Sequence, residues 1–177
     1  MAELRAARRY AQAAFQIALD EGTIPTWRND LADVAQVLSA SELAPALDDR
    51  RMPLNIRLEM VERVLDVSPL ALNLAKLLVQ KGRSLDAGAV ADAFNAFADE
   101  HEGIAHAQIT TAVGLDPSQI AHIEQQLSAS LNKQVQAVAE VDPGIVGGIV
   151  VRVGDRMVDA SVRTRLKQLR KELQGAR

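Results

Sequence analysis

The chain has 177 residues, 48% of them hydrophobic and 24% charged, a composition that is ordinary for one soluble globular domain or two small ones. The absence of cysteine excludes disulfides, thiolate metal sites and a cysteine nucleophile, and it fits a reducing compartment. No uncharged run approaches the ~18 residues that span a bilayer, and the N-terminus lacks the apolar core of a signal peptide, so we expect no direct membrane insertion.

Charge is distributed unevenly along the chain. The net charge is −3 overall, but residues 152–177 contain eight Lys or Arg against Asp155, Asp159 and Glu172, a local charge of +5. A basic tail of this kind is compatible with nucleic-acid binding. It contains no aromatic residue on which bases would stack, so a solvated basic helix, or a helix that meets the acidic surface of a partner, is the favoured interpretation.

Residues 4–20 have the periodicity of a helix with two apolar faces. One face carries Ala6, Tyr10, Ala13 and Ile17, and the opposite face carries Leu4, Ala7, Ala11, Phe15 and Ala18. A helix at the surface of a domain needs only one apolar stripe. The second stripe predicts either burial on both sides or a face that is kept for a partner.

Two more helices are expected to begin near Thr23 and at Pro53, with a short segment that contains Pro45 between them. The adjacent carboxylates of Asp48 and Asp49 raise the question of acid–base chemistry. Nothing in the surrounding pattern buries them, so a solvated loop is the favoured interpretation.

Ser68 and Pro69 predict the start of a helix, because serine caps a free N–H and proline suits the first helical position. The helix is expected to run to about Gln80 and to end at Gly82. It repeats the two-faced pattern, with Leu70, Leu74 and Leu77 on one face and Leu72, Ala75 and Val79 on the other. The pattern fits a central bundle helix as well as a helix with a partner-binding face.

A further helix is predicted over residues 85–102. His101 and His106 lie near its end, five residues apart. Zinc-binding helices carry histidines at i and i+4. Gly103 also interrupts the helix between the two histidines. We therefore predict no metal site here. The isolated His122 is assigned to the surface or to packing.

The pattern changes after this helix. Residues 107–113 and 135–141 alternate as strands do, and Asp116-Pro117 begins a helix between them. The sequence thus predicts an all-α N-terminal domain, residues 1–105, and a smaller α/β (α+β) C-terminal domain, residues 106–177.

The stretch from Asp142 to Leu166 is the most distinctive part of the chain. A turn at Pro143-Gly144 is followed by a strand over 149–153, a tight hairpin at Gly154-Asp155 and a short strand over 157–160. Ser161 is expected to cap a basic helix. The Gly147-Gly148 pair predicts a bulge or the close approach of another backbone. It is not a phosphate loop, because no Gly-Lys-Ser/Thr follows it.

These residues resemble the C-terminal signature of the delta subunit of F-type ATP synthases, the bacterial counterpart of the oligomycin-sensitivity-conferring protein. The similar elements are Gly147-Gly148, the Arg152–Asp155 hairpin and the run from Asp159 to Arg163. Ala160 stands where the family usually has glycine, so we expect that the backbone there does not require a positive φ. At the N-terminus, residues 8–15 resemble the family's Arg-Pro-Tyr-Ala-x-Ala run without the proline, and Gly82-Arg83 matches a family Gly-Arg pair.

The resemblance implies a six-helix N-terminal bundle whose first and fifth helices form a groove for the N-terminal helix of an alpha subunit of the catalytic head. The residues implied for this groove are Ala6, Tyr10, Ala13, Ala14, Ile17, Leu70, Leu74 and Leu77. The C-terminal domain would bind the b subunits of the peripheral stalk, for which the candidate residues are Gly147, Gly148, Arg163, Arg165 and Arg170.

By the same resemblance, the chain is a non-catalytic stator subunit without cofactor or metal. It would be present in one copy in the hetero-oligomeric complex, at the cytoplasmic face of the membrane, and would keep the head from turning with the central shaft. The main alternative is a helical nucleic-acid-binding factor that uses the basic tail. A hydrolase or transferase is less favoured, because no set of nucleophile, base and orienting group is visible.

Overall fold

The computed structural model describes the backbone of residues 2–49, 51–154 and 156–175, and the side chains of residues 5–49, 51–154 and 156–171. The chain forms two compact units, Met1–Ala98 and Asp99–Arg177. The first unit is helical, and the second contains a small mixed sheet.

The first unit is built from the helices α1 to α5 and most of α6. Their bounds are α1 Ala2–Glu21, α2 Ile24–Ala35, α3 Ala44–Asp48, α4 Leu54–Val64, α5 Pro69–Gln80 and α6 Ala87–Glu102. A π-helical turn, Gln36–Ala40, extends α2, and a 3₁₀ turn, Ser84–Asp86, precedes α6. The predicted start of α5 is confirmed: the Ser68 hydroxyl accepts the Ala71 N–H at 3.4 Å, and Pro69 is the first helical residue.

The core of this unit lies against the alanine-rich face of α1. Ala7, Ala11, Ala14 and Ala18 are all buried, and their small side chains let neighbouring helices approach closely. Phe94 of α6 lies in the same core, with its ring centroid 6.0 Å from that of Phe15 and 6.1 Å from that of Trp27. The sequence-based face of Ala7, Ala11 and Ala18 is therefore the inner face of the helix.

One sequence-based interpretation in this unit is wrong. The segment with Asp48 and Asp49 is not a solvated loop, because residues 44–48 form α3 and both carboxylates are half-buried and hydrogen-bonded. Asp48 accepts the Ser84 hydroxyl at 3.1 Å, and Asp49 forms an ion pair with Arg51 at 3.0 Å. Hydrogen bonds from Arg51 hold the pKa of Asp49 below its usual value.

The second unit contains a four-stranded sheet in the order β2-β1-β3-β4. Its elements are β1 Ile104–Thr111, α7 Pro117–Leu131, β2 Gln134–Val141, a 3₁₀ turn Pro143–Ile145, β3 Ile149–Val153, β4 Arg156–Asp159 and α8 Val162–Gly175. β1 and β2 are parallel and are joined through α7, whereas β3 pairs antiparallel with both β1 and β4. β1 begins three residues earlier than the alternation predicted.

Local hydrogen bonds explain why α7 begins where it does. The Asp116 carboxylate accepts the Gln119 N–H at 2.9 Å, while the Gln119 side chain accepts the Asp116 N–H at 3.0 Å. This reciprocal pair is a capping box. α7 packs against β2 without fully burying any of its own side chains, so the second unit has a thinner core than the first.

Candidate partner-binding surfaces

An apolar cleft of about 260 Å³ opens on the first unit where α1 and α5 flank Trp27 of α2. Seven of the eight groove residues named from the sequence line it, together with Trp27 and Asn73: they are Tyr10, Ala13, Ala14, Ile17, Leu70, Leu74 and Leu77. Contrary to the prediction, Ala6 does not line the cleft; it is buried in the unit, with 2% of its surface exposed. None of the lining residues carries a charge at neutral pH.

The second apolar stripes of α1 and α5 supply the walls of this cleft. Ile17 and Leu70 each expose 39% of their surface, which is high for large aliphatic side chains. Tyr10 and Leu74 are half-buried and pack against the core, so they form the inner part of the walls. Sequence reasoning missed Trp27 as a cleft residue because it belongs to the buried stripe of α2.

The chemistry of the cleft fits recognition rather than reaction. Its lining is mainly aliphatic and aromatic, and the polar side-chain groups of the lining residues are the Asn73 amide, the Tyr10 hydroxyl and the Trp27 indole N–H. A concave apolar surface between two helices is the usual receptor for the apolar face of a third helix.

The second candidate surface is centred on the first turn of α8. A Cβ atom at Gly148, which has φ +81°, would lie 2.5 Å from the Ala160 carbonyl oxygen. The Ala160 N–H donates to the Ile149 carbonyl, and the Val162 N–H donates to the Gly147 carbonyl, each at 2.9 Å. The predicted close approach of another backbone at this glycine pair is confirmed, and the partner backbone is the link between β4 and α8.

Ser161 and Asp159 fix the start of α8. The Ser161 hydroxyl accepts the Thr164 N–H at 3.2 Å, which confirms the predicted cap. The Asp159 carboxylate accepts the Ser161 N–H at 2.9 Å and the Thr164 hydroxyl at 2.7 Å. Hydrogen bonds from Ser161 and then Thr164 hold the pKa of Asp159 below its usual value. Ala160 is not among the described residues with positive φ, as expected.

The remaining candidate residues of the second unit lie at its surface. Arg163, Arg165 and Arg170 are exposed along α8. In the predicted hairpin, Gly154 has φ +55°, and β3 and β4 pair directly on either side of it. Asp155 lies outside the described residues.

In the part of the chain that the structure describes, no three His, Asp or Glu side chains group so as to hold a metal ion. His106 pairs instead with Asp99, at 2.8 Å from ring nitrogen to carboxylate oxygen. No helix among the described residues has the length and hydropathy needed to cross a bilayer.

Comparison with known proteins identifies the family of the chain. The family model described as ATP synthase delta (OSCP) subunit matches residues 6–173. ATP synthase subunit delta of Syntrophomonas wolfei subsp. wolfei is 32% identical over 174 residues, which cover 97% of this chain and 96% of that protein. The subunit delta of Anaeromyxobacter sp. (strain Fw109-5) is 36% identical over 171 residues, which cover 94% and 96%.

A solved structure shares the fold. A chain of the cryo-EM structure of the Toxoplasma gondii mitochondrial ATP synthase hexamer superposes with a TM-score of 0.70 at 23% identity, covering 95% of this chain and 97% of that one. Since the family model and the relatives extend over nearly the whole sequence, the chain belongs to the ATP synthase delta (OSCP) subunit family.

Proposed function

We propose that the chain joins the catalytic head of an F-type ATP synthase to its peripheral stalk through one surface on each unit. Membership of the delta (OSCP) family makes it a non-catalytic stator subunit of that complex. Its contribution is therefore binding free energy at two interfaces rather than stabilisation of a transition state.

The apolar cleft is the observation that carries this proposal. The first unit, which we propose to be a six-helix bundle functioning as the domain 1–105, binds the N-terminal helix of an alpha subunit there. Tyr10, Ala13, Ala14 and Ile17 of α1 contact one side of that helix, and Leu70, Leu74 and Leu77 of α5 contact the other. The uncharged lining supports an apolar occupant, since an unpaired charge would lose its hydration on entering.

The C-terminal domain, residues 106–177, binds the b subunits of the peripheral stalk. Its support is the exposed basic helix α8 and the tight link through Gly147 and Gly148 that holds the start of this helix against the sheet. In this proposal Arg163, Arg165 and Arg170 contact the stalk, whereas the glycines act by positioning α8.

The mechanical role follows from the two attachments. When the central shaft turns inside the head, the head experiences a torque, and a joint to the fixed stalk supplies the opposing torque. One copy of the chain per complex, at the cytoplasmic face of the membrane, fulfils this role. Membrane association then depends on the other subunits.

The test uses the full-length chain and a synthetic peptide of the alpha subunit's N-terminal segment. Leu77→Asp, in the cleft, is compared with Gln80→Asp, which adds the same charge on an exposed position of α5 outside the cleft. Loss of one buried apolar contact costs roughly 2–3 kcal/mol, so the Leu77 variant is expected to bind about 30–100-fold more weakly.

Calorimetry measures both affinities, and circular dichroism checks that each variant keeps its helix content. If wild type binds the peptide and both variants lose the same affinity, the peptide binds outside the cleft. Absence of wild-type binding would remove the head-binding half of the proposal.

A further inference from the structure

Tyr10, Trp27 and Asn73 supply the hydrogen-bonding side chains of the otherwise aliphatic cleft. Trp27 is almost fully buried, with 3% of its surface exposed, whereas Asn73 is exposed on α5. The Trp27 indole N–H and the Asn73 amide form no hydrogen bond with any group of the chain that the structure describes. In the free chain both groups therefore depend on water for a partner.

Folding does not need either of these polar groups. The Trp27 ring stacks on Phe94 with 6.1 Å between the centroids, a contact that a phenyl ring would also make. Asparagine is a weaker helix former than leucine, and within the described chain the Asn73 amide makes no hydrogen bond that would offset this cost. Leu70, Leu74 and Leu77 are the residues that α5 otherwise places on this face. The two polar groups thus point to binding rather than to folding.

A helix that covers the cleft removes water from both groups. A buried donor without an acceptor costs more than an ordinary hydrogen bond contributes. The backbone groups of the bound helix are already paired within that helix, so one of its side chains must supply the acceptor. The indole N–H is a donor only, and the lining holds no charge that would compensate a buried carboxylate. The matching groups are neutral acceptors, the side chains of Ser, Thr, Asn or Gln.

We propose that Trp27 and Asn73 are specificity-determining residues of the cleft, which hydrogen-bond neutral polar side chains that interrupt the apolar stripe of the alpha-subunit helix. This inference deepens the proposed function and rests on it. Hydrophobic contacts are non-directional, so they tolerate a shift of the bound helix. A polar contact within an apolar interface fixes the register, at some cost in affinity. The Tyr10 hydroxyl either donates or accepts, so it adds no demand on the chemistry of the bound helix.

The first experiment replaces the amide by apolar surface in the full-length chain. Asn73→Leu is compared with Gln80→Leu, which makes a similar change at an exposed position of α5 outside the cleft. In calorimetry with the synthetic alpha N-terminal peptide, we expect Asn73→Leu to bind about fivefold more weakly or worse, and Gln80→Leu to stay within about twofold of wild type. Equal or tighter binding by Asn73→Leu would overturn the role of Asn73, because a cleft that recognises apolar surface alone gains from an added leucine.

The second experiment observes the indole N–H directly in the wild-type chain. Trp27 is the only tryptophan, so its indole signal in a ¹H–¹⁵N NMR spectrum of the labelled full-length protein is unambiguous. We expect the peptide to shift the indole proton downfield and to slow its exchange with water. A series of peptides then replaces each Ser, Thr, Asn and Gln by Ala, and we expect one replacement to abolish the shift and to weaken binding. An unchanged indole signal, or a shift that survives every replacement, would overturn the role of Trp27.

Leu77→Asp separates this inference from the proposed function. If wild type does not bind the peptide, the head-binding half of the proposed function fails, and the inference fails with it. The other case is that wild type binds, Leu77→Asp weakens binding, Asn73→Leu binds at least as tightly as wild type and no peptide replacement alters the indole signal. The helix then occupies the cleft through apolar contacts alone, and only the specificity inference is wrong.

Discussion

Gly148 and Ala160 approach each other so closely that a Cβ atom on Gly148 would lie 2.5 Å from the Ala160 carbonyl oxygen. Gly148 also has φ +81°, so both its conformation and its surroundings demand glycine. This contact joins the entry of β3 to the entry of α8, and it sets the position of the exposed basic helix.

Gly148→Ala is therefore expected to destabilise the second unit. The positive φ costs alanine about 1–2 kcal/mol, and the backbone clash adds about 1–3 kcal/mol. Gly154→Ala is the matched control, because Gly154 has φ +55° but nothing within 4 Å of an added Cβ. Urea unfolding followed by the amide NMR signals of the second unit measures the difference. Equal losses in the two variants would show that the Ala160 carbonyl moves away without cost.

The Asp159 carboxylate makes the α8 cap dependent on pH. Hydrogen bonds in the folded state hold its pKa below the ordinary 3.8, so its contribution to stability is present above that pH and is lost as the pH falls through the folded pKa. Asp159→Asn is expected to be less stable than wild type at pH 6, and the difference is expected to shrink well below pH 4. Urea titrations at a series of pH values measure it. A difference that stays constant with pH would mean that the negative charge does not strengthen the cap.

Ala11 and Ala13 lie on opposite faces of α1, one in the core and one in the cleft. Ala11 is fully buried, whereas Ala13 is exposed in the cleft. Ala13→Asp is expected to keep the helix content and to weaken binding of the alpha peptide, because a carboxylate would be desolvated in the complex. Ala11→Asp places the same group in the core and is expected to unfold the first unit. Circular dichroism and calorimetry measure both effects. An unfolded Ala13 variant would show that the cleft face is part of the core.

The two units are expected to differ in stability when each is produced as a separate fragment. A fragment of residues 1–105 is expected to fold as a helical domain and to bind the alpha peptide, because it contains the whole core of the first unit. The complementary fragment 106–177 lacks Ile104 and Ala105, which pair with Gln134 and Val135 across β1 and β2.

We therefore expect a fragment of residues 99–177 to be more stable than 106–177. Thermal unfolding of the two fragments, measured side by side, tests the difference. Equal melting temperatures would show that this end of the parallel pair contributes nothing to stability.

The sequence was most informative where local chemistry decides the structure. Ser68, Asp116 and Ser161 predicted helix starts because each side chain satisfies an N–H in its own first turn. The double stripes of α1 and α5 contain six of the seven predicted cleft residues, because helical periodicity separates opposite faces. The seventh, Ala14, lies outside the stripes and follows from the family resemblance alone. Ala6 shares the stripe of Tyr10, Ala13 and Ile17 but is buried, and periodicity alone does not show which part of a stripe the fold covers.

Long-range packing accounts for what the sequence left open. Trp27 lines the cleft because α2 lies between α1 and α5, which depends on the arrangement of three helices. Asp48 is held by Ser84, from a segment 36 residues later. Val146, between β2 and β3, has φ +68°, and valine is not a residue that signals a positive φ.

The claim that one chain bridges head and stalk is tested most directly by sedimentation velocity. A fluorescent alpha N-terminal peptide is mixed with the soluble b-subunit dimer, with and without the full-length chain. The account predicts that the peptide sediments with the dimer only when the chain is present, and that Leu77→Asp and Arg165→Glu each break the bridge at a different end. Competition between the peptide and the dimer for the chain would contradict the account.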